Sequence, residues 1–385
     1  MAESGINSYF PSQTVSDAEK LSYDYGLKVG KAIEQEWFNN DRGNTRYRTN
    51  HNDFHNLRLY ARGEQSIQKY KDELSINGDL SYLNLDWKPV PIISKFVDIV
   101  VNGIAERTYD IKAYSQDPHG VSKRTEYMES ILKDMRLKEF NTAVKRELNL
   151  NVRDSQIEEL PESNEELELH MQLTYKQSIE IAEEQALNTL LEGNRYELTK
   201  KRFYYDLTVL GIGAVKTSFN TSEGVVVDYV DPANLVYSHT ESPYFEDIYY
   251  VGEVKTIPVN ELAKEFPHLS EGDLEDIMKN KPYNRSNYNS RHNEDKEDNN
   301  TIQVLYFNYK TYMNEVYKTK ETATGGEKII PKDDSFNPPE NMEGGFGKML
   351  RSIECLYDGA MILGTKKLLK WEMAKNMMRP KSDFT

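Results

Sequence analysis

The sequence has one cysteine and lacks any long apolar segment. Cys355 on its own excludes an intrachain disulfide and is typical of a protein that stays in a reducing compartment. A membrane-spanning helix needs about 18 or more consecutive apolar residues, and the sequence contains no such run. Residues 1–10 have neither the basic nor the apolar region of a secretory signal. We therefore expect a soluble protein that has no membrane partner and is not exported through such a signal.

The sequence also lacks an excess of basic residues. It has 48 lysines and arginines against 63 aspartates and glutamates, which gives a net charge of −15 at neutral pH. This balance argues against a protein that binds nucleic-acid phosphates tightly, because tight binding requires a basic surface. It does not argue against a surface along which DNA passes without being held. Three small basic clusters, each more typical of a solvated face than of a DNA contact, occur at Arg42/Arg46/Arg48, Lys200/Lys201/Arg202 and Lys366/Lys367/Lys370.

Apolar residues are scarce, whereas tyrosine is abundant. The residues A, V, I, L, M, F, W, Y and C make up 38% of the chain, and 26 residues are tyrosine. Together with 13 phenylalanines and 3 tryptophans, the tyrosines predict a folded body and not a disordered chain. Because tyrosine suits interfaces that are partly wet, the composition favours a protein that buries surface against copies of itself.

The most informative segment, residues 203–238, contains a glycine pair. Gly211 and Gly213, with Lys216 after them, share residue types with phosphate-binding loops. Those loops run from a strand through glycines into a helix, whose N-terminus faces the anion. Here a helical pattern precedes the glycines, and Val215 stands before the lysine. The pair therefore predicts a helix C-terminus that turns directly into a strand, and not a nucleotide site.

Two turn signals follow in the same segment. Gly224 marks a hairpin between two apolar strands, the second of which covers residues 225–230. Asp231 and Pro232 mark a turn after that strand. These residues are interpreted as structural motifs of a scaffold.

No pattern of catalytic or metal-binding residues stands out. His51 and His55 lie four residues apart with Asp53 between them, a spacing that places two imidazoles on one helix face. No third ligand is signalled nearby, and the alternative is a polar helix start at the surface near Asp53. The chain has no G-x-S-x-G, H-E-x-x-H or protein-kinase signature, and none of its many carboxylates is singled out as a member of a pair. We therefore assign no catalytic residue, no cofactor and no metal ligand.

Helical patterns come first in the chain and strand patterns dominate its last part, which predicts an α+β fold of packed helices followed by antiparallel strands with long loops. The predicted parts are a flexible arm at 1–16, a helical part at 17–150, an acidic linker or insert at 151–174, a helix–hairpin–helix part at 175–279, a disordered-like loop at 280–300 and a β-rich region at 301–385.

Two helix starts carry specific predictions. Trp87 and Pro89 give an extended approach to a proline-started helix over residues 91–105. Its apolar residues form a wide face typical of a core helix, namely Ile92, Phe96, Ile99, Val100 and Ile104. Ser270 and Asp273 predict the capped start of a later helix.

The β-rich region predicts four strands. Residues 301–310 and 312–319 alternate like two strands joined by a short turn. Residues 351–357 and 360–363 are predicted to pair through a hairpin at Asp358-Gly359. Residues 321–347 are rich in glycine and proline and are predicted to be flexible.

The order of these segments resembles the portal proteins of tailed bacteriophages, over about residues 55–320. The segments that carry the resemblance are RLYARGEQSIQKYKDEL at 58–74, WKPVPIISKFVDIVVNGI at 87–104, YYDLTVLGIGAVKTSF at 204–219, VVVDYVDPANLVYS at 225–238, YYVGEVK at 249–255 and TIQVLYFNYK at 301–310. The joint G-I-G-A-V-K-T and the turn V-D-P-A-N-L-V are its most specific parts. The asparagine-rich and tyrosine-rich style looks most like the portals of crAss-like phages.

The resemblance implies a ring, usually of twelve copies, at one vertex of a capsid. Double-stranded DNA is packaged and ejected through the central channel of such a ring. The implied partners are further copies of the chain, that DNA, the large terminase subunit, the major capsid protein, and head–tail adaptor or tail proteins. The implied location is the virion, after assembly in the cytoplasm of the infected bacterium, and no enzymatic activity of the chain's own is implied.

The resemblance also implies how the chain divides. Residues 17–279 would correspond mainly to the peripheral wing of a portal, and residues 301–385 would lead toward its stem and clip. The channel helix and crown of the family are not apparent, so we expect the sequence to cover an N-terminal half. Two alternatives stay open: another virion structural or assembly protein that oligomerises without contacting DNA, and a carboxylate-based hydrolase whose site forms only in three dimensions.

Overall fold

The computed structural model describes residues 10–38, 45–75, 86–88, 90–107, 110–148, 160–173, 175–220, 224–279, 301–321, 326–333, 336–337, 346–374 and 382–385. In these residues the chain is α+β, with helices first and antiparallel strands later, as predicted. The helices are α1 (Asp17–Lys20), α2 (Tyr23–Phe38), α3 (Arg46–Arg62), α4 (Gln68–Leu74), α5 (Ile92–Ala105), α6 (Pro118–Arg136), α7 (Lys138–Leu148), α8 (Asn164–Leu173), α9 (Ser178–Gly193), α10 (Tyr196–Leu210), α11 (Val259–Glu265) and α12 (Glu271–Lys279). The strands are β1 (Ala214–Asn220), β2 (Gly224–Val230), β3 (Leu235–Tyr237), β4 (Tyr250–Pro258), β5 (Thr301–Glu321), β6 (Glu327–Lys332), β7 (Phe346–Ile362) and β8 (Leu368–Met373).

The chain divides into two compact units. The first unit contains Met1–Ile104 and Thr199–Thr385, and the second contains Ala105–Leu198. The first unit holds two antiparallel sheets, the hairpin β1–β2 and a larger sheet with the order β3-β4-β5-β7-β8, in which β6 pairs with β5. The second unit is helical in its described residues.

One face of the larger sheet is covered by α2. Its residues Tyr25, Val29, Ile33 and Trp37 recur every four positions and therefore share one side of the helix, and all four are buried. They pack with alternate residues of β5, which include Phe307. The indole N–H of Trp37 also donates to the Tyr250 hydroxyl at 3.0 Å, so the buried polar atom of this aromatic residue has its partner.

The opposite face of the sheet is covered by α11 and α12. Leu262 and Ile277 from these helices pack with Ile302, Val304 and other residues of the sheet in a second core. Residues of β5 alternate between the two cores because successive side chains of a strand point to opposite faces. The strand is apolar on both faces here because helices cover both of them.

The second unit has its own, smaller core. Ile131 of α6 packs with Leu167 and Met171 of α8. The Tyr127 and Tyr175 rings stack beside them with centroids 4.2 Å apart. This core has three buried apolar residues among those described, far fewer than either core of the larger sheet.

One predicted helix cap is confirmed, and one predicted helix start is wrong. Ser270 accepts from the Asp273 N–H at 3.2 Å, and Asp273 accepts from the Ser270 N–H at 3.1 Å, which is the predicted reciprocal cap of α12. The helix start predicted near Asp53 lies earlier, at Arg46, where the Thr45 side chain caps the helix by accepting from the Arg48 N–H.

The predicted turns within the long strands are wrong. Residues 301–319 form one strand, β5, and the Asp358-Gly359 pair lies inside another, β7. Gly359 pairs with Phe307 on one side and with Trp371 on the other. Because both edges of β7 have partners at this point, the backbone stays extended and the turn preference of Asp-Gly is overridden.

The segments predicted to be flexible are described in part. Residues 10–16 pack on the protein: Phe10 stacks on Tyr250 with ring centroids 5.4 Å apart, and Val15 contacts the same core. Strand β6 lies within the stretch 321–347. Residues 1–9 and the predicted loop at 280–300 lie outside the described residues.

Candidate functional site

Arg58 lies at the centre of a charged cluster in the first unit. The cluster joins four parts of the chain: α3, which carries Arg58; α10, which carries Asp206; β2, which carries Tyr229; and a 3₁₀ turn, Pro232–Asn234, which Asp231 caps. Asp206 is almost fully buried. A carboxylate at such a position requires compensation by a cation or by hydrogen bonds.

The Arg58 guanidinium donates to both carboxylates. Its Nη2 lies 2.9 Å from Oδ1 of Asp206 and 2.7 Å from Oδ1 of Asp231, and its Nη1 lies 3.0 Å from Oδ2 of Asp231. The contact with Asp231 is therefore bidentate, which is the strong geometry for an arginine–carboxylate pair. The Tyr229 hydroxyl donates to the second oxygen of Asp206.

The pKa values of the two carboxylates of the cluster are shifted in opposite directions. Burial raises the pKa of Asp206, and this effect exceeds the opposing hydrogen bonds from Tyr229 and Arg58. Burial also acts to raise the pKa of Asp231, but hydrogen bonds from Arg58 and from the Ala233 N–H lower it below its ordinary value. Burial and the nearby Asp206 raise the pKa of the Tyr229 hydroxyl, which stays protonated and can donate.

All four carboxylate oxygens of the cluster accept hydrogen bonds from the protein itself. Asp206 uses one oxygen for Arg58 and the other for Tyr229, while Asp231 accepts from Arg58 on both oxygens and from the Ala233 N–H on one. Such an arrangement fixes α3, α10 and the β1–β2 hairpin in one position. We interpret the cluster as a structural clamp.

The glycine pair lies next to this clamp. Gly211 follows the last residue of α10 with a φ of +78°, and its N–H donates to the Leu207 carbonyl at 3.2 Å, so it ends the helix in the left-handed conformation that glycine adopts readily. A Cβ on Gly213 would lie 2.7 Å from the Phe203 ring. The pair therefore lets β1 leave the helix at once and close to it.

The other structural residues singled out from the sequence lie in the same region. Gly224 begins β2 with a φ of +78°. Asp231 caps the 3₁₀ turn and Pro232 occupies its first position. The sequence pattern predicted only the turn role of Asp231, and the structure adds its contact with Arg58.

Three further members of the clamp, Arg58, Asp206 and Tyr229, were missed altogether. Arg58 and Asp206 are 148 residues apart in the chain, so no local spacing connects them. One signal was present in the sequence, since Asp206 is the one charged residue in the largely apolar and aromatic run 203–210. A lone carboxylate in such a run indicates a buried partner.

Trp87 lies apart from the clamp. Its ring is half-buried and lies 5.6 Å from the Lys71 ammonium. Pro89 lies outside the described residues. The structure therefore does not bring Trp87 together with the glycine pair.

His51 and His55 lie within α3 and not at a polar helix start. Burial lowers the pKa of His51, against the opposing influence of Asp231. Among the residues that the structure describes, no group of three or more His, Cys, Asp or Glu side chains is arranged to hold a metal ion.

Helix α5 presents a large exposed apolar face. Ile92, Phe96 and Ile99 are 60%, 64% and 62% exposed, and Ile93 and Val100 are also exposed. The sequence predicted this face as core, and that prediction is wrong. The buried side of the helix carries Val97 and Val101 instead.

Comparison of the chain with models of known protein families and with curated proteins finds no match in either case. In the described part of the chain, no helix combines the length and the apolar character that crossing a bilayer requires.

Proposed function

We propose that this chain is the subunit of a ring-shaped portal, located at one capsid vertex, through which double-stranded DNA is packaged and ejected. The proposal places the protein in the virion, after assembly in the cytoplasm of an infected bacterium. Its partners are copies of itself, the DNA, the large terminase subunit, the major capsid protein and head–tail adaptor or tail proteins. The role is structural, and the α+β body corresponds to the wing of a portal.

The exposed face of α5 carries this proposal. Full burial of one large aliphatic or aromatic side chain contributes about 1.5 to 3 kcal/mol. Five such side chains on one helix face are a contiguous apolar surface of the kind that marks a protein interface. We assign a second copy of this chain as the occupant, because a closed ring repeats one interface between neighbouring copies.

The clamp at Arg58 supports the same role. A ring subunit must keep its shape while its neighbours and the DNA act on it. The cluster connects helix, hairpin and turn through charge-assisted hydrogen bonds, which are stronger than neutral ones. The two most specific segments of the resemblance, the joint after α10 and the turn at Asp231, both belong to this region.

The test is the mass and shape of the purified chain. Native mass spectrometry and negative-stain electron microscopy should find a closed ring of about twelve copies with a central hole wide enough for duplex DNA. The double substitution Phe96→Glu/Ile99→Glu should convert the ring to monomers. Both side chains are exposed, so the circular dichroism spectrum should stay close to that of the unaltered chain and report an intact fold.

A matched control is Tyr244→Glu, which also replaces an exposed aromatic residue, 82% exposed and outside α5. This variant should still form rings. A chain that is monomeric at all concentrations overturns the proposal. A closed assembly without a central hole instead favours a virion structural protein that does not contact DNA.

A further inference from the structure

A groove lies between two helices of the second unit, α6 and α8. Its volume is about 830 Å³, far more than the roughly 30 Å³ that one water molecule occupies in the liquid, so it is not a packing defect. Leu167 and Met171 line it from α8 and are buried, whereas Arg136 and Glu168, which also line it, are exposed. The groove therefore has an apolar floor and is open to solvent.

The wall that α6 contributes is a ladder of apolar side chains. Met128, Leu132 and Met135 occupy positions i, i+4 and i+7 and therefore share one side of the helix. All three line the groove, and none of them is fully buried. Two of the three are methionines, whose flexible side chains adapt to a partner. Such a groove fits an amphipathic helix that presents its own apolar anchors at the same spacing.

Helix α5 of the first unit carries the matching pattern. Ile92, Phe96 and Ile99 also occupy positions i, i+4 and i+7, and each is at least 60% exposed. At about 1.5 Å per residue, each of the two ladders is about 10.5 Å long. The apolar face of α5 and the wall of the groove therefore have the same spacing and the same length.

The charged residues beside the two surfaces are complementary. Lys95 is exposed and lies beside the apolar face of α5, three residues after Ile92 and four before Ile99. Glu168 lines the groove from α8, and in the described part of the chain neither it nor Lys95 has an ion-pair partner. The rim on α6 carries Arg136 instead. The favoured orientation of a helix α5 in this groove therefore places Lys95 toward α8 and away from α6.

Two other charged residues near these surfaces are directed elsewhere. Arg124 also lines the groove, and its guanidinium donates to the Met171 carbonyl at 3.0 Å. Asp98 of α5 follows the buried Val97 and lines a separate cavity of the first unit together with Arg62. The orientation of α5 is therefore decided mainly by Lys95 and the two rims.

We propose that α5 of one copy occupies the groove between α6 and α8 of the next copy. The choice of a second copy rests on the proposed function. A closed ring of more than two copies joins two different surfaces of the subunit at every interface, because the contact runs head to tail. The exposed face of α5 supplies one of these surfaces, and the groove supplies the other.

Cysteine cross-linking of the assembled protein tests this contact. Phe96 and Leu132 are the middle residues of the two ladders, so they meet whether the helices run parallel or antiparallel. Chains with Phe96→Cys and chains with Leu132→Cys, tagged differently and expressed together, should be joined by a short bis-maleimide linker. The expected product contains one chain of each kind. The unaltered chain should give no product, because its Cys355 is buried.

Each variant on its own is a control for symmetry. Phe96→Cys alone should give no cross-linked product, since neighbouring copies of α5 do not meet in this arrangement. A strong product from Phe96→Cys alone would show a symmetric contact between two α5 helices and would overturn the proposal. If Leu132→Cys does not fold, as judged by circular dichroism, Met128→Cys replaces it, one turn away and 36% exposed.

A matched control moves the first cysteine to another exposed aromatic position. Tyr244 is 82% exposed and lies outside α5. A mixture of Tyr244→Cys and Leu132→Cys chains should give no mixed product. Equal yields from the Tyr244→Cys and Phe96→Cys mixtures would mean that the linker reports chance encounters, and the assigned contact would then be wrong.

The double variant Phe96→Cys/Leu132→Cys distinguishes a second copy from the same chain. A head-to-tail contact should give covalent dimers, trimers and larger products, because every copy is linked to two neighbours. An internally linked monomer as the main product would mean that α5 fills the groove of its own chain. That result would overturn the proposal.

Charge reversal tests the orientation of α5. Lys95→Glu should lower the yield of the mixed product about two- to fivefold, because it places a second carboxylate near Glu168. Adding Glu168→Lys should restore most of the yield. The control Lys201→Glu reverses an exposed lysine on α10 and should leave the yield unchanged. An equal yield for Lys95→Glu and the control would show that the assigned orientation is wrong.

Electron microscopy of the same samples separates this contact from the proposed function. Closed rings that give no mixed product contradict the contact between α5 and the groove and leave the proposed function standing. Mixed product in open rows of copies that never close into a ring contradicts the proposed function and keeps the contact.

Discussion

Asp206 is a carboxylate held inside the protein beside a second carboxylate, Asp231, and Arg58 lies against both. Two neighbouring negative charges in a buried site are tolerated because the guanidinium is shared between them. The cost of removing the cation therefore exceeds the value of one hydrogen bond. It includes the repulsion and desolvation that Arg58 compensates.

Arg58→Met should destabilise the protein by about 3 kcal/mol, because it leaves Asp206 buried without its cation. Asp206 already has a raised pKa from burial, and the loss of Arg58 raises it further. A folded-state pKa above the unfolded one favours the folded state at low pH. The loss of stability should therefore be largest at neutral pH and become smaller as the pH falls toward the unfolded aspartate value of about 3.9.

Denaturant unfolding at several pH values measures this effect. Asp206→Asn in the Arg58→Met background should recover part of the loss, because it removes the uncompensated charge. Lys279→Met is the control, since it breaks an exposed ion pair with Glu275 and should cost about 0.5 kcal/mol or less. A deficit for Arg58→Met that does not depend on pH would show that lost packing and not charge is responsible.

The residues of the clamp show what local sequence can predict. Asp231 was recognised because its turn chemistry involves only its neighbours, and the structure confirms that turn. Arg58 and Asp206 required knowledge of which helices come together. Which helices come together depends on residues far apart in the chain and cannot be read from any short segment of the sequence.

At the scale of elements, the largest difference between the predicted and the observed secondary structure lies in the strands β5 and β7. Asp358-Gly359 is a strong turn signal in isolation. In the folded chain Gly359 is a packing residue, because an added Cβ would lie 2.5 Å from Cζ of the buried Phe307 ring. The absence of a side chain makes room for the aromatic ring across the strand, and this requirement is visible only once the register is known.

Gly359→Ala should destabilise the protein by about 1 to 3 kcal/mol, since the Phe307 ring is fully buried and has little room to move. Chemical denaturation monitored by fluorescence gives the value. Gly272→Ala makes the same change in α12, where the nearest atom to the added Cβ is 3.9 Å away, and should be neutral or stabilising. Equal stability of the two variants would contradict the packing role assigned to Gly359.

Helix α5 is an element that the sequence predicted correctly in type and incorrectly in environment. Its length and start follow from the local pattern, and the helix is present. Its wide apolar face was assigned to the core because an amphipathic pattern indicates a buried face. The pattern does not indicate whether the same chain or another chain covers that face. A face that is buried only in an assembly has the same pattern as a core face.

At the scale of the whole molecule, the two units differ in the size of their cores. The larger sheet is covered on both faces in the first unit, whereas the described core of the second unit rests on Ile131, Leu167 and Met171. Local stability follows the amount of buried apolar contact. The two units should therefore open with different free energies.

Hydrogen–deuterium exchange of the assembled protein should show the slowest amides in β5 and β7 around Phe307 and Tyr357, which are fully buried. Amides of α6 and α8 should exchange at least about tenfold faster, which corresponds to a difference of about 1.4 kcal/mol in opening free energy. The test fails if the two sets exchange at the same rate.

Strand β5 contains 21 residues, so at about 3.4 Å per residue it is roughly 70 Å long. Seventeen of its residues are in register with β7 without interruption. A pull along these strands at the end of β5 that pairs with β6 loads the ladder in shear, so many backbone hydrogen bonds resist it together instead of yielding one after another. The end of β5 that pairs with both β6 and β7 therefore passes an axial load directly into the covered part of the sheet.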